Sequence, residues 1–357
     1  MSDLYLSRIR SWFLSSPPAE WALNRLRHTL IGALSQGPIP RHVAFEMDGN
    51  RRYARSHKIE TIEGHHLGFE ALARVLEVCY KCGVKVVTVY AFSLENFNRP
   101  KYEVDGLMQL AKLKLEQIIQ HGELLDRYGA SVKVLGRLDL VPPDVLEVME
   151  RAVATTSHNT DCVLNICFPY TSREEMTTAI RTTVEEYSTT PRPHSTPFSQ
   201  SRITQKILSK HGDKPESLAF IREPSPPPTP TSAQSDDHDD AVSTTTTLHS
   251  DSPAHRNANG HAVAIYPNAE TITPDTIERH MYTAGCPPLD LFVRTSGVER
   301  LSDFMLWQCH QDTHIFFLKC FWPEFDLWHF LPVLVEWQWR QKQKERDERP
   351  LGRVKQA

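Results

Sequence analysis

Apolar and polar positions along this chain follow two rhythms. His42–Phe45, Lys85–Phe92, Ser131–Leu135, Cys162–Phe168, Leu289–Val293 and His314–Leu318 are short runs rich in β-branched and aromatic residues, and they predict six strands. Leu67–Cys82 instead repeats apolar residues at Phe69, Leu72, Val75, Leu76 and Cys79, the three-to-four spacing of a helix. Val104–Tyr128, the stretch from Pro142-Pro143 to Ser157, Ser172–Tyr187, Thr273–Tyr282 and Leu327–Arg346 read as further helices. Runs such as KVVTVYAF are mostly apolar, as strands covered on both faces should be. Strands separated by helices imply right-handed crossovers. The expected fold class is therefore α/β: a single domain with a central six-stranded, mostly parallel sheet flanked by helices.

The rhythm fails twice. Leu4–Leu34 reads as amphipathic helix broken at Pro17-Pro18, with Leu4, Trp12, Phe13, Trp21, Leu26, Leu30 and Leu34 apolar and arginines interleaved. Such a segment suits a membrane surface or a partner, and equally suits packing on the protein's own body. Ser188–Asn259 is rich in Pro, Ser, Thr, His and Asp and cannot bury enough apolar surface to offset its ordering entropy. It reads as a disordered insertion within one domain, carrying one short helical stretch at Ser201–His211; a linker between domains is the alternative. The expected organisation is an N-terminal segment at 1–39, a catalytic domain at 40–346 interrupted at about 188–260, and a tail at 347–357.

Composition narrows the classes. The net charge of −4 offers no global positive field, so no nucleic acid is expected. The 7 cysteines are scattered and odd in number, and the chain has no N-x-S/T sequon, which argues against a secreted disulfide framework. Cys79 and Cys82 have C-x-x-C spacing but lie inside a helical pattern without a second pair, so zinc or redox use is not expected. No apolar run reaches the roughly 18 residues a membrane span needs.

Three charged clusters fall just past strands: Asp48-Gly49-Asn50-Arg51-Arg52, Ser93–Arg99, and Arg294–Ser302. In parallel sheets, ligands bind at the carboxyl ends of strands. A carboxylate beside arginines suits a diphosphate held partly through a divalent metal, because Mg²⁺ bridges carboxylates to phosphates and guanidinium forks match phosphate geometry. A strand-to-helix turn would add backbone N–H groups aimed at the anion. Taken alone, DGN is equally a solvated surface turn.

The motifs HVAFEMDGNRRYA, GHHLGFEAL, YAFSLENFNRP, LDLFVRTSGVERLSDFMLWQ and FWPEF, in this order, resemble the cis-prenyltransferase family of undecaprenyl and dehydrodolichyl diphosphate synthases. The resemblance covers about Pro40–Tyr187 and Thr271–Trp339 and is to a eukaryotic, fungal-type catalytic subunit; the paired arginines of DGNRR resemble the eukaryotic branch more than the bacterial one. It implies condensation of isopentenyl diphosphate onto farnesyl diphosphate, with an apolar tunnel between helices and sheet for the product. Asp48 would hold Mg²⁺, and Gly49, Asn50, Arg51 and Arg52 would cradle the allylic diphosphate. His65 would lie near the phosphates; Arg294, Arg300 and Ser302 would take the second diphosphate; Ser93, Glu95, Asn96 and Arg99 would position the condensing partners. The proton is taken by Asn96, Ser93, His65 or the pyrophosphate itself. As bland alternatives, His65 is a capped core histidine, and Glu95 and Asn96 only hydrogen-bond a loop.

Four departures from the family pattern stand out. Glu46 replaces a usual aliphatic residue, on the same strand face as Asp48. Val298 and Glu299 appear in swapped order, and Thr313, next to Asp312, stands where bacterial members carry a metal-binding glutamate. The tail reads ERPLGRV, with Pro350 in place of the arginine of an R-x-G motif. The resemblance then implies a catalytic subunit whose homologous accessory subunit supplies that tail, peripheral on the cytoplasmic face of the endoplasmic reticulum membrane. The rivals are an autonomous shorter-chain synthase, a non-catalytic accessory subunit of the same fold, and an unrelated α/β phosphate enzyme. No Walker A or G-x-G-x-x-G run supports the last.

Overall fold

A computed structural model describes residues 17–120, 123–188, 268–310 and 312–348. They fall into two units, 17–184 with 272–348, and 185–188 with 268–271. The first unit opens with α1 (Pro17–Leu34), β1 (His42–Glu46), α2 (Asn50–His57), α3 (Thr61–Cys82) and β2 (Val86–Tyr90). It continues with α4 (Lys101–Gln120), α5 (Glu123–Arg127), β3 (Ala130–Leu135), α6 (Pro143–Thr156), β4 (Cys162–Cys167) and α7 (Ser172–Ser188), whose last turn enters the second unit. After the second unit come α8 (Pro274–Glu278), β5 (Leu291–Arg294), β6 (His314–Phe317) and α9 (Leu327–Glu348).

The six strands form one sheet in the order β3-β4-β2-β1-β5-β6, and every pairing is parallel. Chain from both sides of 189–267 therefore enters one sheet: Val43 pairs with Leu291 and Glu46 with Arg294. The central strands are apolar and buried, as parallel strands covered on both faces require. Phe45 meets the rings of Trp322, Phe325 and Phe330 at centroid distances of 5.8, 6.0 and 5.5 Å. Such aromatic pairs each add about 1 kcal/mol beyond the area they bury. His42 is one of several buried polar residues on these strands, with Glu46, Thr88, Asn165 and Arg294. Its Nδ1 donates to the Pro287 carbonyl at 2.9 Å and its Nε2 accepts from the Thr88 hydroxyl at 2.7 Å. Burial lowers its pKa to about 4.

Element boundaries shift where local chemistry competes. α3 begins at Thr61 rather than Leu67, because Gly64 and Gly68 weaken the apolar signal while permitting a close approach to α2. A Cβ at Gly64 would lie 2.7 Å from the Asn50 carbonyl oxygen. The helix expected over Val104–Tyr128 is described as α4 and α5; His121 and Gly122 lie outside the described residues. The helix expected over Thr273–Tyr282 stops at Glu278 and continues as turns. His280 N–H bonds the Ile277 carbonyl and Met281 N–H that of Glu278, the tighter i→i+3 pattern. α2 was signalled only as the turn after Asp48.

α1 takes part of the own-body alternative. Ile31 and Leu34 are buried, and the Gln338 amide on α9 donates to the Leu34 and Pro38 carbonyls at 2.7 and 3.0 Å. Trp21, 70% exposed, and Leu26 stay outside. The expected helices before Pro17 and at Ser201–His211, and the tail motif at Pro350, lie outside the described residues. Cys79 and Cys82 are free and buried.

Candidate active site

β1, β2 and β5 are adjacent in the sheet, and each ends in one of the charged clusters. All three clusters open onto one cavity of about 440 Å³, a size suited to a small ligand. Asp48, Asn50, Arg51, His65, Ser93, Glu95, Asn96, Arg99, Arg294, Arg300 and Ser302 line it. Gly49 and Arg52 do not. Gly49 adopts φ 111°, and a Cβ there would meet Phe321 at 2.8 Å, so this glycine serves the turn and the packing behind it. Arg52 turns to Asp48, 3.1 Å away, and to the Ser296 hydroxyl and carbonyl at 2.5 and 3.3 Å.

Arg294 organises the floor. It is 2% exposed, and one guanidinium nitrogen meets Glu46 at 2.7 Å while donating to Ser302 Oγ at 2.6 Å and the Arg300 carbonyl at 2.5 Å. The other donates to Asp48 Oδ2 at 2.8 Å. Burial raises the Asp48 carboxyl. Hydrogen bonds from Arg294 and Ser296 and the charge of Arg52 outweigh it and hold the pKa below its ordinary value. Glu46 goes the other way. Burial raises its pKa against the pull of Arg294, and Oε2 has no partner. Glu46 is therefore a buried companion of Arg294 and not a surface charge. The Thr295 hydroxyl and the Trp322 N–H both donate to the Asp48 carbonyl, at 2.6 and 3.1 Å, which pins the loop from behind.

The loop after β5 is strained. Ser296, Ser302, Asp303 and Met305 all have positive φ, which non-glycine residues rarely adopt. α7 clamps it: Arg173 bonds Asp303 through its N–H at 2.9 Å and its Nε at 2.7 Å, and the Ser172 N–H donates to the Asp303 carbonyl at 2.7 Å. Neither Arg173 nor Asp303 was singled out in the sequence, where only their hydrogen-bonding type was visible.

Ser93 and Asn96 form a capping box, with the Ser93 N–H donating to Asn96 Oδ1 and the Glu95 N–H to Ser93 Oγ, both at 3.2 Å. Asn96 therefore bonds its own loop, and both it and Ser93 line the cavity. Glu95 is exposed, 3.5 Å from Arg173. Arg99 donates to the buried Glu103 at 2.9 Å, and Arg51 lies 3.9 Å from the same carboxylate. Glu103 falls after Pro100, inside a helix, where a lone glutamate carries no local signal of a site. His65 is not capped. Its Nε2 is buried without a partner, and burial, with the charges of Arg99 and Arg51, lowers its pKa to about 4.

Beyond this end the wall is largely apolar: Phe69 and Leu72 from α3, Leu107, Leu110, Ala111, Leu115 and Ile118 from α4, Met149 from α6, and Val134 and Ile166 from the sheet. α3 and α4 thus supply most of the helical side of this wall. Phe92 lines the cavity, whereas Phe97 packs against Phe92 at 5.0 Å and is not a wall residue. Glu299 is exposed; the Thr313 hydroxyl donates to the Leu289 and Gln308 carbonyls, and Asp312 pairs with Lys344 at 3.1 Å.

A parallel α/β sheet whose strand ends gather arginines at the mouth of an apolar cavity defines a protein that handles an amphipathic anion, with a charged head and a hydrocarbon body. Comparison with known proteins agrees. The prenyltransferase family model described as undecaprenyl diphosphate synthase matches residues 47–223 and 237–345. The chain is 38% identical to a dehydrodolichyl diphosphate synthase complex subunit of Schizosaccharomyces pombe, over 93% of this chain and 98% of that one. The corresponding human subunit is 33% identical over 88% of this chain and 72% of its own. Lavandulyl diphosphate synthase from Lavandula x intermedia, solved with dimethylallyl diphosphate, shares the fold with a TM-score of 0.57 and 22% identity, over 84% of this chain and 95% of that one. The chain belongs to the cis-prenyltransferase family of prenyl diphosphate synthases.

Proposed function

We propose that this chain is the catalytic subunit of a synthase that adds isopentenyl diphosphate units to farnesyl diphosphate, making long-chain dehydrodolichyl diphosphate for dolichol synthesis and protein glycosylation. One observation carries the reading. Arg51, Arg99, Arg294 and Arg300 open onto the charged end of a cavity whose remaining wall is largely hydrocarbon, with Arg52 directly behind. Two diphosphates would satisfy the cations, and a prenyl chain would satisfy the wall.

Arg51 and Arg99 would take the allylic diphosphate, aided by the first free N–H groups of α2. Arg300 and Ser302 would meet the diphosphate of isopentenyl diphosphate. Arg294 is spent on Glu46, Asp48 and Ser302, so it holds these groups in place and lends the site its charge. As the allylic C–O bond breaks, the arginines stabilise the charge that develops on pyrophosphate. Ser93 and Asn96 fix each other's geometry beside the reacting carbons. His65 presents an unpartnered nitrogen near the point where the proton is lost.

A magnesium ion fits in one way. Among the described residues no group of three or more His, Cys, Asp or Glu could cage a metal. Asp48 alone would hold the ion, the remaining positions going to phosphate oxygens and water, as is usual for Mg²⁺. The depressed Asp48 pKa keeps the carboxylate ready for it. When bound, the ion supplies charge neutralisation on the departing pyrophosphate.

Residues 40–346 would form one catalytic domain around an insertion, followed by a tail. A homologous accessory subunit would complete the site, since both relatives above are named as complex subunits. The edge strand β6 offers a surface for it, with Ile315 and Phe317 exposed on one face. Among the described residues no helix is long and apolar enough to cross a membrane. The exposed Trp21 and Leu26 of α1 support peripheral attachment to the cytoplasmic face of the endoplasmic reticulum membrane.

The test is incorporation of labelled isopentenyl diphosphate into lipid with farnesyl diphosphate and Mg²⁺, for the chain alone and with a co-purified partner. Long-chain product only with the partner supports the heteromeric reading. Full activity alone overturns the partner requirement, and no product in either overturns the synthase reading.

A further inference from the structure

The largely apolar part of the cavity wall contains one cation. Lys114 on α4 lines the cavity among Leu110, Ala111, Leu115 and Ile118, and it is 6% exposed. It lies seven residues beyond Leu107, about 10 Å along the helix at 1.5 Å per residue. The other charged residues of the cavity wall are Glu46 at the end of β1 and Asp48, Arg51, Glu95, Arg99, Arg294 and Arg300 in the three strand-end clusters. Among the described residues no carboxylate lies within ion-pair distance of Lys114. Its ammonium sits 4.9 Å from the Phe69 ring centroid and donates to Gln117 Oε1 and His66 Nε2, both at 3.1 Å.

An ammonium can only donate, so His66 Nε2 accepts and its proton is on Nδ1. Nδ1 faces Glu70 at 3.5 Å. The imidazole and Glu70 are both half-exposed, so this relay draws the ammonium from the cavity toward the outer face of α3. A carbon chain that fills the cavity beside Lys114 displaces whatever water reaches the ammonium and offers no hydrogen bond in return, which is unfavourable for a buried cation. The groups left to it are His66, Gln117 and the face of Phe69. Burial already lowers the Lys114 pKa, a sign of how little solvation the site gives.

We infer that Lys114 is a specificity-determining residue for product length: its ammonium opposes growth of the prenyl chain past the middle of α4, and His66 moderates that opposition by holding the charge outward. This rests on the synthase reading above. Each added isoprene unit that reaches Lys114 is held less favourably than on a purely aliphatic wall, so release competes better with further elongation. The first condensation happens before the chain extends that far and is unaffected.

Two variants have opposite expected effects. Lys114→Met keeps an unbranched side chain of similar length but removes the charge. His66→Ala keeps the charge and removes its outward acceptor. The full-length chain, with the subunit that co-purifies with it, is given farnesyl diphosphate and labelled isopentenyl diphosphate, and products are dephosphorylated and sized by reversed-phase chromatography. Lys114→Met is expected to lengthen the mean product by at least one isoprene unit and His66→Ala to shorten it. The steady-state kcat/KM for farnesyl diphosphate should stay within about twofold in both. Unchanged distributions overturn the inference and leave the synthase reading intact. Shifts of both variants in the same direction also overturn it, because loosened packing would do that. Absence of polyprenyl product from the unmodified complex overturns both.

Discussion

Arg294 donates to Asp48 at 2.8 Å across 246 positions of sequence, and its neighbouring nitrogen meets Glu46 at 2.7 Å. One buried guanidinium thus couples the first strand-end cluster to the third. It keeps Asp48 ionised and places it at the mouth of the cavity.

Arg294→Ala should take the counter-charge from Asp48, leave the buried Glu46 without its neighbouring cation and release Ser302. Breaking a buried ion pair by removing one partner typically costs about 3–5 kcal/mol. Urea denaturation should show a loss in that range, whereas Glu46→Gln, which keeps an acceptor, should lose less than half as much. Equal losses would mean that Glu46 accounts for the whole effect.

Asp48→Asn preserves shape and removes the charge. Product formation should fall by about 10²-fold or more, the size of effect seen when one charge-stabilising group is lost. The thermal midpoint should change by only a few degrees, since Arg294 keeps Glu46. A variant that retained most of its turnover would remove Asp48 from the metal-holding role. Chelation of divalent cations should likewise stop turnover while leaving the unfolding midpoint of the free protein in place.

The buried histidines predict an acid-side loss of stability. His42 and His65 titrate near 4 in the folded chain and near 6.5 when unfolded. Below 6.5 the unfolded state binds more protons, so stability is full above that pH and falls as pH drops toward 4. At pH 5 each histidine should account for about 2 kcal/mol relative to pH 7. Denaturant midpoints across that range, compared with a His42→Gln variant, check the sign. A flat wild-type profile would contradict both depressed values.

A Cβ at Gly68 would lie 2.4 Å from Asn50 Oδ1 and 3.0 Å from the Trp322 ring. Gly68→Ala should therefore separate α3 from the start of α2, costing about 1–3 kcal/mol as overpacking does. Asn50 would move with it, so the KM for farnesyl diphosphate should rise more than kcat falls. Gly83→Ala is the control. Nothing lies within 4 Å of its Cβ position, and only its φ of 101° is strained, so stability should drop without a change in KM.

Phe317→Glu tests the open edge. The side chain is exposed on β6, the edge strand among the described residues, so the fold should tolerate the charge. If β6 meets the accessory subunit, co-purification should fail while the variant still melts cooperatively. Retained co-purification would place the partner elsewhere.

By itself the amino-acid sequence determined the six strands, most helices and the three clusters at strand ends. Apolar runs and helical periodicity are local, and an acid or arginine just past a strand in a parallel sheet has one place to go. The five ordered motifs then identified the family. The sequence did not determine where side chains point within the site. Arg52, adjacent to Arg51, turns behind the cavity because Ser296 and Asp48 wait there. Phe97 hides behind Phe92, and Lys114 faces the product cavity although a helical lysine is ordinarily solvated. Glu46 was visible as an oddity, but its partner Arg294 lies 248 positions away and becomes its neighbour only through the β1–β5 pairing. Those outcomes depend on strand order and on the rotation of each helix about its axis. Both are set by packing the whole core at once, and a local pattern does not contain them.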